Sequence, residues 1–221
     1  MHDSSDTQPA PNPDPPEQAL DRRVVVLVVP AVGTWAPPGR SPETWRLALA
    51  EDTYEVLASL DRVDVAVAVV GGDESSVADI SALTWPGTAV YSVDPTRPVL
   101  DALSGVGPAA AAVAVSYDAP DLPGLLIGKL FRALSSADLA VCPAEDGSQV
   151  AIGVNFPVAP WVASAAPTFD TSLAELERLK PRRHAVAIGP GWHRLRSAGD
   201  IARLDPGLEG WDATRAVLRG A

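Results

Sequence analysis

Two carboxylates stand where an α/β protein does its chemistry. Asp118 closely follows the apolar run Ala110 to Val115, and Asp146 lies with Gly147 in the turn Glu145-Asp146-Gly147-Ser148 between two further apolar runs. A carboxylate at the carboxyl end of a central strand is well placed to hold Mg²⁺ or Mn²⁺ against a nucleotide diphosphate. Position alone leaves a structural role for Asp118 equally open. Asp121 reads more simply as a capping acid for the helix that follows it, and Asp146-Gly147 taken alone is an ordinary turn. Other chemical signatures fail on context. Gly105-Val106-Gly107-Pro108-Ala109-Ala110 has the letters of a dinucleotide fingerprint but precedes a strand, whereas the motif must follow one and open a helix. The sequence has no HExxH and no GxSxG, its only lysines are Lys129 and Lys180, and its three histidines are scattered. Cys142 is the sole cysteine and lies in the apolar stretch LAVCPA, which reads as a buried, inert thiol.

The elements that must position these residues are legible from patterning. Val24 to Val29 is an unbroken β-branched and leucine run, the pattern of a strand buried on both faces. Further strands are expected at Val63 to Val70, Ala89 to Val93, Ala110 to Val115, Leu139 to Cys142, Val150 to Val154 and Ala185 to Ile188. Ser41-Pro42-Glu43 reads as N-cap, first-turn proline and first-turn acid of a long helix. Helices are expected also at Pro98 to Leu103, Leu122 to Leu134 and Thr171 to Leu179, with short helices at the end. Strands alternating with helices predict an α/β, three-layer fold on a mostly parallel sheet. Ligands in such sheets sit at the carboxyl ends of the strands. The loops after Val29, Val70, Val115 and Cys142 are therefore the candidate site, with Gly33, Arg40 and Gly71 among the residues they offer.

Composition narrows the partners. The 221 residues carry 28 acidic and 17 basic side chains, a net charge of −11. A general nucleic-acid binder needs a basic face, so that class is set aside. Residues 1–21 are acidic and proline-rich with few apolar side chains, and are expected to be a disordered tail preceding one domain over 22–221. That tail lacks the basic and apolar regions of a signal peptide. Residues 147–169 are uncharged, but Gln149, Asn155, Pro157 and Pro160 interrupt them, so no membrane span is expected. The expectation is a cytoplasmic protein.

Ser116–Gly124, SYDAPDLPG, and Pro143–Gly153, PAEDGSQVAIG, together resemble the G-S-D-x-P-D-L-P and G-P-A-x-D-G-G-Y-x-L-I-G segments of bacterial glycosyltransferase-like transferases. That family, which includes arsenosugar-biosynthesis glycosyltransferase-like proteins, is akin to molybdenum-cofactor guanylyltransferase and phospholactate guanylyltransferase. The resemblance implies the nucleotide-diphospho-sugar transferase (GT-A, Rossmann-like) fold over nearly all of the chain after residue 22. It also implies that Asp118 binds Mg²⁺ or Mn²⁺, that Asp146 and Gly147 line the acceptor side, and that the loop after Val29 wraps a nucleotide or nucleotide sugar.

The chain departs from the family pattern where phosphate charge is managed. The family's K-x-P-x-x-G-x-x-K-T-R loop corresponds to Val29–Arg40 here, which holds no lysine and leaves Arg40 as its one cation. The family's D-V-D-T-P-E-D-L lines up with Arg194–Ile201, which puts Arg196 where the second metal-site acid belongs. The expectation is a degenerate nucleotidyl- or glycosyltransferase-like protein, with Gly33, Arg40, Gly71, Gly147 and Arg196 around the ligand. The alternatives are an active metal-dependent transferase and a non-enzymatic interaction subunit using Trp35, Trp45, Trp161 and Trp192 as a contact surface.

Overall fold

The structure, a computed structural model, describes residues 21–220. The tail read over 1–21 thus lies, apart from Asp21, outside the described residues. The β-branched run forms β1 (Arg23–Pro30), and Val24 to Val29 are all buried. Their side chains alternate between two cores, as a strand's two-residue period requires. Val25, Leu27 and Val29 face α1 (Pro42–Ala58) and α4 (Gly124–Ala133), while Val24, Val26 and Val28 face the core that includes α3 (Pro98–Ser104). The result is a sheet between two helical layers.

The remaining strands are β2 (Asp64–Val70), β3 (Ala89–Val93), β4 (Ala111–Ser116), β5 (Leu139–Pro143), β6 (Gln149–Asn155) and β7 (Val186–Ile188), ordered β3-β2-β1-β4-β6-β5-β7. Only β6 runs against its neighbours. The expectation of a mostly parallel α/β sandwich is met. Chain connections leave β1 towards β2 on one side, while β4 lies on the other, so the strand order reverses between β1 and β4. That reversal opens a crevice at the strands' carboxyl ends.

Local signals account for the helix ends. Ser41 caps α1, accepting from the Thr44 amide at 3.5 Å, with Pro42 in the first turn. Two helices were missed in the sequence. α2 (Glu74–Ser81) is short and mostly exposed, so it carries little apolar periodicity, and α5 (Pro160–Ala165) is a single-sided turn and a half inside what reads as a proline-rich loop. A further helix, α6 (Leu173–Leu179), matches its expected place. The chain then passes β7 and follows an extended path along the strands' carboxyl ends to a 3₁₀ turn (Ala198–Arg203) and α7 (Asp212–Arg219), which packs on α1. Among the described residues no helix is long and apolar enough to cross a membrane.

Gly105-Val106-Gly107 ends α3 and precedes β4, which removes the dinucleotide reading. Cys142 is buried in β5, and burial pushes its thiol up to about 12. Gly33 is required by close approach: a Cβ there would lie 2.2 Å from the backbone oxygen of Pro42. Overpacking against backbone typically costs about 1–3 kcal/mol. Gly33→Ala is therefore expected to lower the melting temperature by several degrees, and an unchanged calorimetric melt would contradict the packing of this loop on α1.

Candidate ligand-binding cleft

The crevice between β1 and β4 is a cleft of about 380 Å³. Val28 and Pro30 from β1, Ser116, Tyr117 and Asp118 at the end of β4, and Trp35 from the first loop line one part of it. Phe169, Asp170, Arg194 and Arg196 line the other. Its aromatic walls include Trp45, which is buried and meets the edge of Trp35 with ring centroids 5.9 Å apart.

Asp118 is buried, with its side chain only 4% exposed. Its Oδ1 accepts hydrogen bonds from the Ser116 hydroxyl at 2.7 Å and from Arg194 Nε at 2.8 Å. Arg194 is 8% exposed and spends a second donor, Nη2, on the Ser116 hydroxyl at 3.1 Å. Its guanidinium lies over the Phe169 ring, 5.7 Å from the centroid. Burial works against the Arg194 charge, but Asp118, with Asp170 and Asp146 beyond it, outweighs burial and holds the guanidinium protonated. Arg194 Nη1 is buried and finds no hydrogen-bond acceptor, the nearest carboxylate oxygen being Asp170 Oδ1 at 3.6 Å.

Arg196 is two residues on, and the buried Leu195 between them lets extended backbone send both arginines to one side. Arg196 Nη1 lies 2.9 Å from Asp170 Oδ1 and donates to Asp146 Oδ2 at 3.4 Å. Asp146 sits in its expected turn, accepting from the Ser148 amide at 2.9 Å and from the Ser148 hydroxyl. Partial burial opposes its charge, yet these bonds and the two arginines hold its carboxyl below the usual range. Gly147 beside it has φ +86°, the left-handed conformation the turn needs.

Asp146 reaches the cleft only through Arg196, neither Asp146 nor Gly147 lines it, and the other expected residues lie elsewhere. Gly33 packs on α1, and Arg40 reaches the end of α7, where Nη2 donates to the Leu218 carbonyl at 3.4 Å. Neither lines the cleft. Gly71, with φ +68°, closes β2 by donating its amide to the Val93 carbonyl, and its neighbour Val70 is the residue that reaches the cleft. Asp121 caps no helix; α4 begins after Pro123 without a side-chain cap. It is buried and instead accepts from Trp192 Nε1 at 3.2 Å, with His193 Nε2 3.0 Å away, so it fastens the segment that delivers the arginines. The tryptophans suggested as a contact surface are engaged internally: Trp161 Nε1 donates to Asp138 and Trp192 to Asp121.

Against the expectation that Asp118 holds a divalent ion, the groups around it suit one poorly. The carboxylate already faces a guanidinium, a second guanidinium stands nearby, and among the described residues no group of three or more His, Cys, Asp or Glu side chains is arranged to hold a metal. Ser116, Asp170, Tyr117 and Phe169 line the cleft without a role foreseen from sequence, and Arg194, visible there only as the neighbour of Arg196, takes the central place. The alternation Arg194-Leu195-Arg196 was the available signal for Arg194.

No family model matches the sequence, and no curated protein matches it. Solved structures do. A candidate nucleotide-diphospho-sugar transferase from Desulfovibrio desulfuricans superposes with TM-score 0.62 at 18% identity, over 90% of this chain and 96% of that one. This chain shares the fold of that nucleotide-diphospho-sugar transferase-like structure. Rv0371c from Mycobacterium tuberculosis, in complex with manganese, gives TM-score 0.53 at 18% identity over 85% of this chain and 100% of its own. CMP:2-keto-3-deoxy-manno-octonic acid synthetase, complexed with CTP, gives 0.55 at 10% identity over 83% and 96%.

Proposed function

We propose that this chain binds a nucleotide or nucleotide sugar in the β1–β4 cleft and manages its phosphate charge with arginine in place of a carboxylate-held metal. It is a transferase-like binder with degenerate transfer chemistry. The observation that carries this reading is the buried ion pair of Arg194 with Asp118, a guanidinium bonded to the carboxylate best placed to receive a divalent cation. A bound Mg²⁺ or Mn²⁺ would stand beside that fixed positive charge, whereas a phosphate would be attracted by it, and arginine's planar fork suits phosphate oxygens. Support for a nucleotide comes from the fold, since a structural neighbour is complexed with CTP. Trp35 and Tyr117 supply flat apolar surface for a base or a sugar.

Thermal melts against nucleoside triphosphates and nucleotide sugars, in EDTA and in Mg²⁺ or Mn²⁺, test this. A ligand at a hundred times its dissociation constant adds about 2.7 kcal/mol, worth about 5–11 °C for a domain of this size. At least one nucleotide is expected to reach that shift in EDTA. Stabilisation that appears only with metal would support an active metal-dependent transferase and overturn the reading, as would no stabilisation by any nucleotide.

A further inference from the structure

Asp170 Oδ1 lies between two guanidiniums, 2.9 Å from Arg196 Nη1 and 3.6 Å from Arg194 Nη1. Its side chain is 67% exposed, while Arg194 behind it is more than nine-tenths buried and carries a donor with no acceptor. The backbone on either side of Asp170 is pinned to the sheet. Gln149 of β6 does this: its amide donates to the Phe169 carbonyl at 2.6 Å and its Nε2 to the Thr171 carbonyl at 3.0 Å. The loop is thus fixed on both sides of a side chain that remains free to turn towards solvent.

We infer that Asp170 is an internal stand-in for a ligand oxyanion: its carboxylate oxygen occupies the place between Arg194 and Arg196 that a phosphate oxygen takes, and an incoming phosphate displaces it. The inference rests on the proposed reading of the cleft as the site of a phosphate-bearing ligand. The buried Arg194 Nη1 has a donor to satisfy, which a carboxylate held 3.6 Å away by its loop does not do and a phosphate oxygen, tethered to no loop, can do from the same place. Releasing Asp170 costs little, because solvent-exposed ion pairs are weak. Asp118 cannot be displaced in the same way, being buried under Arg194 and Ser116. The two carboxylates therefore divide the work: Asp118 orients the arginine, and Asp170 competes for it. Competition of this kind excludes weakly held monoanions and admits ligands with two or more phosphate charges.

Calorimetric titration of the full chain with inorganic pyrophosphate, in EDTA and low salt, reads this directly. Asp170→Asn is expected to tighten binding about three- to tenfold, the gain from removing exposed pairs. Arg196→Ala should weaken it at least fivefold and cancel the gain when combined with Asp170→Asn. Glu145→Gln removes an equal charge from the exposed pair with Arg203, and should leave affinity unchanged. No tightening in Asp170→Asn, an equal gain in Glu145→Gln, or no pyrophosphate binding by any variant would overturn the inference. The nucleotide reading fails separately: if pyrophosphate behaves as stated while no nucleotide stabilises the protein, the oxyanion position stands and the nucleotide does not.

Discussion

Asp118→Ala is expected to destabilise the protein by about 3–5 kcal/mol, the cost of breaking a buried ion pair from one side. Arginine stays protonated, so the orphaned Arg194 cannot escape by losing its charge. It would remain buried, with Ser116 as its one hydrogen-bonded neighbour and Asp170 3.6 Å off. The melting temperature should fall by about 6–20 °C. Replacing both partners with apolar residues of similar volume, as in Asp118→Leu with Arg194→Met, should recover most of that loss. A melt for Asp118→Ala within a degree or two of the parent would mean that the pair is not buried in solution.

Asp52→Ala is the second large effect. Asp52, buried in α1, accepts from the backbone amides of Ala213 at 3.0 Å and Thr214 at 2.6 Å, the first turn of α7. It caps that helix from across the domain, where Trp211, at the N-cap position itself, offers no side-chain bond. Alanine would leave two amides bare at a helix N-terminus, costing about 2–4 kcal/mol, and hydrogen exchange at Ala213 and Thr214 should rise sharply. Retained protection there would contradict the cap. Burial is the largest influence on Asp52 and raises its pKa above 3.8, although the bonds from Thr214 and Ala213 pull the other way. A raised carboxyl pKa means the folded state holds the proton more tightly than the unfolded chain. Its contribution is therefore full below the unfolded value and falls as pH rises through the folded one. Asp52→Asn keeps one acceptor and should flatten that part of the stability curve.

Sequence carried the fold further than it carried the site. The Val24–Val29 run and the Ser41-Pro42 cap are local signals, and both appear where patterning puts them. Asp118 too was placed by its strand alone. Its partner was not, because Arg194 lies 76 residues away and nothing local couples the two. The family motif points to Arg196, whereas the residue that holds Asp118 is Arg194, two positions before it. Gly33 and Arg40 show the opposite failure. Each belongs to the loop that wraps the nucleotide in the family pattern, but Gly33 is consumed by packing on α1 and Arg40 by the end of α7. Asp121 looked like a cap because helix starts favour acids, and tertiary contacts with Trp192 and His193 claimed it instead.

The segment from Trp192 to Arg219 supplies both cleft arginines and the amides that satisfy Asp52, and Trp192 and His193 meet Asp121. Without that segment, Asp52 loses its two amides, Asp121 its indole donor and Asp118 its guanidinium, and only Asp118 keeps a donor, the Ser116 hydroxyl. The cleft and the packing of α7 on α1 therefore depend on one stretch of chain, and a cut between β7 and Trp192 would undo both together.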